Sequence, residues 1–305
     1  MEFRKLIRFG KSSFVISLPK PWLAKNNLEK GSLVRLNEDN DELILSAKVD
    51  DEVIEDVANL DVSNLSVMVP RLIHAMYKKG VDKLVVTFDD SKMMDVVQAS
   101  IGKETLGYEI IDQTKNKCVI KNISGGLEGF NHILRRTFLL LISMANDAYD
   151  AFSSKEYDRL KNVAFLEEAN NRFTTSCRRI LNKQGSDDYK YVGPIYYIIE
   201  DLENLADEYK YLCLYFADKN PKLNKDNLDI FNDVNALLKS FYELFYKFDN
   251  KKVTQIASTR KEIIKRILAK MKETKNSDDF MLLHYLLIIT QKVFNYVGPL
   301  LVLKS

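Results

Sequence analysis

The 305-residue sequence has few of the residues that interrupt or cross-link a chain: 11 Gly, 6 Pro and 3 Cys. Because glycine and proline break regular elements, their scarcity favours long helices and strands over a turn-rich β architecture. Cys118, Cys177 and Cys213 are widely spaced and form no C-x-x-C motif. We therefore expect reduced thiols, as in a cytoplasmic protein, and no disulfide framework.

Long apolar runs and catalytic motifs are also lacking. Residues 1–9 have no apolar signal core, and the longest apolar candidate, 280–303, is interrupted by His284, Gln291, Lys292 and Asn295. These features predict a soluble protein with no membrane insertion. There is no G-x-S-x-G motif and no apparent Cys/His pair, and the three histidines fall in different predicted helices, so we predict no enzyme.

Positive charge is concentrated at one end, although the net charge of the whole chain is only +2. Residues 1–35 carry two acidic side chains, Glu2 and Glu29, and eight basic ones: Arg4, Lys5, Arg8, Lys11, Lys20, Lys25, Lys30 and Arg35. A Gly-Lys-Ser triplet at 10–12 is not a phosphate-binding P-loop, because Lys5 stands where that motif requires glycine. The asymmetry predicts an anionic partner for the N-terminal segment.

Residues 3–47 predict a β-β-α-β-β unit, with a turn at Gly10–Ser13 and prolines 19 and 21 opening a short helix. About 45 residues are too few for a stable core, so pairing with a second copy is expected. The run GKSSFVISLPK at 10–20, followed by Trp22, Leu28 and Gly31, resembles the AbrB/MazE swapped-hairpin DNA-binding domain. The resemblance implies that two chains interleave hairpins into one barrel with a basic DNA-binding face.

The basic residues of this segment are the candidate DNA contacts. They surround a strand and a turn, and serine hydroxyls add neutral phosphate donors: Arg4, Lys5, Arg8, Lys11, Ser12, Ser13 and Lys20. Arginine can also read guanine edges, so Arg4 and Arg8 are the candidates for base recognition. The alternative is a solvated edge strand, since basic side chains commonly protect such edges.

The middle of the chain predicts a small α/β segment. Residues 49–63 are acidic and predict a linker, and the elements after them are helix 64–79 closed by Gly80, strand 83–88, helix 91–101, and strands 107–111 and 117–121. Nothing in this segment indicates chemistry, and we expect a spacer or a dimer contact.

The rest of the chain predicts helices only. Two sets of three, 129–152, 157–181 and 187–216, then 226–248, 251–272 and 278–303, indicate an internal repeat of roughly 85 residues. The predicted fold is multidomain α+β, with domains 1–48, 49–124 and 125–305, the last comprising repeats 125–217 and 226–304.

The third of these helices carries two stripes. Ile195, Ile199, Leu202, Ala206, Tyr209 and Cys213 share one apolar face, and Glu200, Glu203 and Asp207 follow its edge. Like charges one turn apart destabilise a helix, so cations, basic partners or water must offset them.

The E-x-x-x-D motif of Glu203 and Asp207, with the run FLEEANNRF at 165–173, resembles the phosphate uptake regulator (PhoU) family. The resemblance implies that Glu167, Glu200, Glu203 and Asp207 gather a divalent metal, iron or zinc. The second repeat departs from the pattern, because Phe294 and Gly298 occupy its acidic positions. The alternative is a solvated face paired with nearby Lys or Arg.

Together the two resemblances imply a cytoplasmic, homodimeric, DNA-binding regulator of phosphate uptake with a PhoU-like sensor bundle. The alternative is a protein-interaction module that acts on subunits of a phosphate transporter, with an N-terminal domain that only dimerises. Tyrosines in 189–197 and 242–246 are expected to be core and interface aromatics rather than stacking platforms for single strands.

Overall fold

The computed structural model describes residues 4–11, 13–39, 42–47, 55–124, 129–184 and 191–304. The chain divides into two compact units, residues 1–54 and 55–305. The multidomain α+β class predicted from the sequence is confirmed. The predicted division at 48 and 124 stays a prediction.

The N-terminal unit has the predicted order of elements. Its members are β1 (Ile7–Phe9), β2 (Ser13–Val15), α1 (Lys20–Lys25), β3 (Arg35–Asp39) and β4 (Glu42–Ser46). β1 pairs antiparallel with β2, and β3 pairs antiparallel with β4, as two separate two-stranded sheets. Isolated two-stranded hairpins are marginally stable in water, so this unit needs further packing partners.

The second unit begins with a four-stranded sheet and two helices. They are β5 (Val57–Asp61), α2 (Val69–Lys79), β6 (Lys83–Thr87), α3 (Met93–Glu104), β7 (Tyr108–Thr114) and β8 (Lys117–Asn122). The strand order is β5-β6-β8-β7, with β5 parallel to β6 and the other pairs antiparallel. Gly80 ends α2 as predicted, in the left-handed conformation at φ +104°.

β5 corrects the sequence analysis, which predicted a linker over residues 49–63. Ala58 and Leu60 are half-buried and alternate with exposed residues along the strand, and Val62 just beyond it is fully buried. The acidic residues around this short run hid its period of two.

The helical region contains α4 (Phe130–Ser154), α5 (Leu160–Ala164), α6 (Leu166–Gln184), α7 (Val192–Phe216), α8 (Lys225–Tyr246), α9 (Asn250–Glu273), α10 (Ser277–Asn295) and α11 (Val297–Lys304). Two predicted helices are each interrupted, one at Phe165 between α5 and α6 and the other at Tyr296 between α10 and α11. Residues 277–304 are long and apolar enough to cross a membrane by length and composition alone. Leu282, Leu286 and Ile289 in that stretch are fully buried in the bundle.

One apolar core runs through both three-helix sets, and a smaller one lies between the sheet, α2 and α3. The predicted apolar stripe of α7 is confirmed: all six of its members are 0% exposed. The three cysteines are free and buried, and burial raises the pKa of Cys118 to about 11. α6 packs against α4 and α7 on the bundle side and against α2 and α3 on the other.

Candidate functional site

The candidate DNA contacts lie on the surface of the N-terminal unit. Six of the seven are described and all six are exposed: Arg4, Lys5, Arg8, Lys11, Ser13 and Lys20. Ser12 lies outside the described residues. Arg8 Nη2 donates to the main-chain oxygen of Lys11 at 3.3 Å, which holds its guanidinium at the β1–β2 turn.

The β1–β2 hairpin separates Arg8 from an apolar face. Arg8 is opposite Phe14 in the register, whereas Ile7 is opposite Val15 and Phe9 is opposite Ser13. Because side chains alternate along a strand, Arg8 points away from the side that carries Ile7, Phe9 and Val15. One side of the hairpin thus presents the Arg8 guanidinium and Phe14, and the other presents Ile7, Phe9 and Val15.

The N-terminal unit leaves its apolar side chains in solvent. None of its residues for which the structure describes burial is buried. Ten of its described large apolar side chains are 41–71% exposed: Leu6, Ile7, Phe9, Phe14, Val15, Ile16, Leu33, Leu36, Leu43 and Ile44. Exposed large apolar side chains in this number indicate an interaction site.

The predicted carboxylates of α7 face α6. Arg178, whose side chain is 1% exposed, bonds Glu200 through Nη1 and Glu203 through Nη2. Thr174 Oγ1 also donates to Glu203 Oε2 at 2.7 Å. A buried arginine therefore holds two carboxylates that would otherwise repel one another.

The other two predicted carboxylates meet at a lysine. Lys210 Nζ lies 2.9 Å from Glu167 Oε1 on α6 and 2.5 Å from Asp207 Oδ1, one turn before it on α7. Asn171 Nδ2 donates to Glu167 Oε1 at 2.6 Å, and the Oδ1 of Asn171 is buried without a partner. This second group also joins α6 to α7.

In both groups, burial and ion pairing shift the pKa of the charged side chain in opposite directions. Burial raises the pKa of Glu203, and the bonds from Arg178 and Thr174 offset only part of that rise. Burial alone would lower the pKa of Lys210, but the bonds to Asp207 and Glu167 outweigh it, so the pKa is raised. Lys210 therefore stays charged at any physiological pH.

The predicted metal ligands form two ion-paired groups rather than one acidic cluster. Among the described residues, no three His, Cys, Asp or Glu side chains come together in a way that could hold a metal ion. Each of the four carboxylates already accepts a bond from a basic side chain. As arranged, they do not fit a metal cluster and match the ion-paired alternative; metal binding itself stays a prediction.

The sequence analysis missed the basic members of this network. Arg178 and Arg179 stand side by side in α6, and both are 1% exposed. Arg179 donates to the main-chain oxygens of Tyr77 at 2.9 Å and Val81 at 2.8 Å, and to Asp82 at 2.7 Å. The available signal was the pair of adjacent arginines within a predicted bundle helix. Arginine is rarely buried without partners, so such a pair indicates that acceptors lie nearby.

Comparison with known proteins matches this chain to one family model and to a solved structure. Residues 7–52 match the family model described as antidote-toxin recognition MazE, a bacterial antitoxin. The crystal structure of the phosphate transport system regulatory protein PhoU from Streptococcus pneumoniae matches with a TM-score of 0.46 and 17% identity. That match covers 58% of this chain and 93% of the other. These are the two families that the sequence resembles.

No curated protein matches the chain. The family model covers only the N-terminal unit, and the identity to the solved structure is too low to transfer a function. The side chains described above must therefore carry the functional argument.

Proposed function

We propose that this protein is a cytoplasmic, homodimeric DNA-binding regulator of phosphate uptake, with its helical bundle as the sensor. One observation carries the proposal: the N-terminal unit combines exposed basic side chains with apolar side chains that have no core of their own. The family match over residues 7–52 supports the same assignment for this unit.

The exposed apolar side chains support a dimer. Burying one large apolar side chain stabilises a protein by about 1.5–3 kcal/mol, and two copies would bring together twenty of them. Association costs about 4–15 kcal/mol in lost translational and rotational freedom. Because these side chains are 41–71% exposed, each gains only part of that amount, and burying most of the twenty would offset the cost of association. A second copy of this unit is the proposed partner.

A dimer would double the basic surface. The basic side chains near β1 would then offer several phosphate contacts on each half, which give affinity and a steep dependence on salt. Arg8 lies opposite the apolar face, so it would remain accessible in a dimer closed through Ile7, Phe9 and Val15. It is the proposed base-reading residue.

The link to phosphate rests on the sequence resemblance of residues 165–173 and 202–207. In this proposal a signal or a transporter subunit binds the bundle and changes how the two basic faces are presented. A ligand can shift that equilibrium only through different affinities for the two arrangements. DNA affinity must therefore differ with and without the signal.

Replacing Arg8 tests the DNA-binding step. We expect Arg8→Ala to weaken binding to promoter DNA of phosphate-transport genes by about 5- to 150-fold, because a bidentate arginine–guanine contact contributes about 1–3 kcal/mol. Fluorescence anisotropy at several salt concentrations measures the affinity and the number of phosphate contacts. Arg71→Ala is the matched control, because Arg71 is also exposed but lies on α2 of the second unit.

The same experiment separates the two candidate functions. If Arg8→Ala and wild type bind DNA equally weakly while both remain dimers, the N-terminal unit only dimerises. The protein would then act through its bundle, where a groove favours a protein partner. Its lining combines apolar Ala164, Phe165 and Leu214 with charged Lys161, Glu167, Glu168 and Lys210. Phe165 is 68% exposed and Leu214 is 50% exposed in that groove.

A further inference from the structure

Two charged groups clamp α6 to α7 along their antiparallel contact. At one end, Lys210 of α7 bonds Glu167 of α6 and Asp207 of α7. At the other, Arg178 of α6 meets Glu200 and Glu203 of α7. The cation comes from α7 in the first group and from α6 in the second, so each helix supplies charge of both signs.

We propose that Lys210 and Arg178 are built-in cations that hold these carboxylates together, so that the bundle is stable without a divalent metal. The inference does not depend on DNA binding. It departs from the metal site that the resemblance to the PhoU family implies.

Lys210 stands where a cation bridging the two helices would have to stand. Its Nζ contacts one oxygen of Glu167 at 2.9 Å and one of Asp207 at 2.5 Å, and Glu167 also accepts from Asn171 at 2.6 Å. Calcium–oxygen distances in proteins are 2.3–2.6 Å, so a metal between these oxygens would overlap the ammonium. A divalent ion could enter only by displacing Lys210.

Displacing Lys210 is unfavourable because its side chain is 21% exposed and fully charged. An incoming cation would break two charge-assisted hydrogen bonds and would then lie close to the displaced ammonium. Arg178 is held more firmly, since its side chain is 1% exposed and it also bonds Thr174 and Thr175. The network therefore excludes divalent ions electrostatically.

The test compares full-length wild type with Lys210→Met, which removes the charge but keeps most of the stem. Thermal unfolding and calorimetric titration are measured with EDTA and with MnCl2, ZnCl2 or CaCl2. We expect no change in the Tm of the wild type under any of these conditions. Lys210→Met should have a lower Tm in EDTA and should gain at least tenfold in divalent affinity, with a Tm that rises when the metal is added.

Two controls separate charge removal at this site from general effects. Lys210→Arg keeps the charge and should remain indifferent to metal. Lys292 of α10 pairs with Glu208 of α7 at 3.6 Å, outside the network. The Lys292→Met variant should therefore gain no metal affinity.

Stoichiometric metal in the purified wild type, or a fall in its Tm with EDTA, would overturn the proposal. These two measurements use the wild type alone and so do not depend on whether a variant folds. Failure of a folded Lys210→Met to gain metal affinity would also overturn the role assigned to Lys210. Neither outcome bears on DNA binding, which the Arg8 experiment tests separately.

Discussion

Arg179 shows how much of this structure depends on single buried charges. Its guanidinium makes three hydrogen bonds of 2.7–2.9 Å and lies over the ring of Tyr77, with its Cζ 4.8 Å from the ring centroid. A buried arginine needs hydrogen-bond partners and an anion to compensate its charge, and here Nη1 and Nη2 have partners while Nε has none. Asp82 supplies that anion, so Arg179 fastens the α/β segment to the bundle.

Truncating Arg179 should destabilise the second unit strongly. Arg179→Met leaves the Tyr77 and Val81 oxygens without this donor, and we expect a loss of about 3–5 kcal/mol in the free energy of unfolding. Urea denaturation followed by circular dichroism measures it. Arg159→Ala is the control, because the side chain of Arg159 is 51% exposed and pairs with exposed Glu156, so this variant should lose much less stability. Equal losses in the two variants would contradict this role.

Among the elements, α6 is the helix that packs against both α2 and α3 on one side and α4 and α7 on the other. Successive residues of a helix point about 100° apart, so Arg178 reaches α7 while Arg179 reaches the end of α2. Glu104 of α3 bonds His74 Nδ1 at 2.8 Å. The charge of nearby Arg178 contributes to lowering the pKa of Glu104. Charged side chains thus lie between the two layers, from Glu104 on α3 to Arg178 on α6 and its two carboxylates on α7.

Asp82, between α2 and β6, should make this junction sensitive to acid. Burial alone would raise the pKa of Asp82, but Lys183, the Asp56 amide and Arg179 outweigh it and hold the pKa below the usual 3.8. The resulting stability is fully present above pH 3.8 and is lost as the pH falls through the lower folded-state pKa. We expect Asp82→Asn to be less stable than wild type at pH 7, and the difference to shrink below about pH 4.

Urea unfolding from pH 7 down to pH 3 measures that convergence. Asp89→Asn serves as the control, because Asp89 is exposed in the same layer, and its stability should follow the wild type at every pH. A difference for Asp82→Asn that stays constant with pH would show that the ion pair contributes nothing through its charge.

At the scale of the whole molecule, the two units differ in how they satisfy their apolar residues. The second unit buries long stripes in two continuous cores, whereas the first buries none of its residues for which the structure describes burial. Since only the first unit lacks a core, we expect the dimer contact to form there.

An acidic residue at Phe9 should break that contact. Phe9→Asp places a charge on the apolar face of the β1–β2 hairpin, and burying an unpaired carboxylate is strongly unfavourable. We expect light scattering coupled to gel filtration to show a wild-type dimer and a largely monomeric variant. Val67→Asp is the control, because Val67 is 85% exposed in the second unit. A Phe9→Asp dimer as tight as the wild type would place the contact elsewhere.

Repeating patterns made much of the fold predictable. The apolar stripe of α7, the Gly80 stop and the β-β-α-β-β order all follow from local periodicity and turn chemistry, and all are present. β5 was missed because five residues within an acidic stretch give too short a pattern. The breaks at Phe165 and Tyr296 were missed because apolar periodicity continues across both of them.

The sequence by itself determined which helix faces are apolar, where the charge is concentrated, and that Glu200, Glu203 and Asp207 lie on one stripe. Only the tertiary structure decided what neutralises that stripe. Arg178 precedes the stripe by 22 residues and lies on another helix, so no pattern local to α7 could identify it. Charge pairing depends on which helices pack together and in what register, whereas amphipathic periodicity depends on each helix alone.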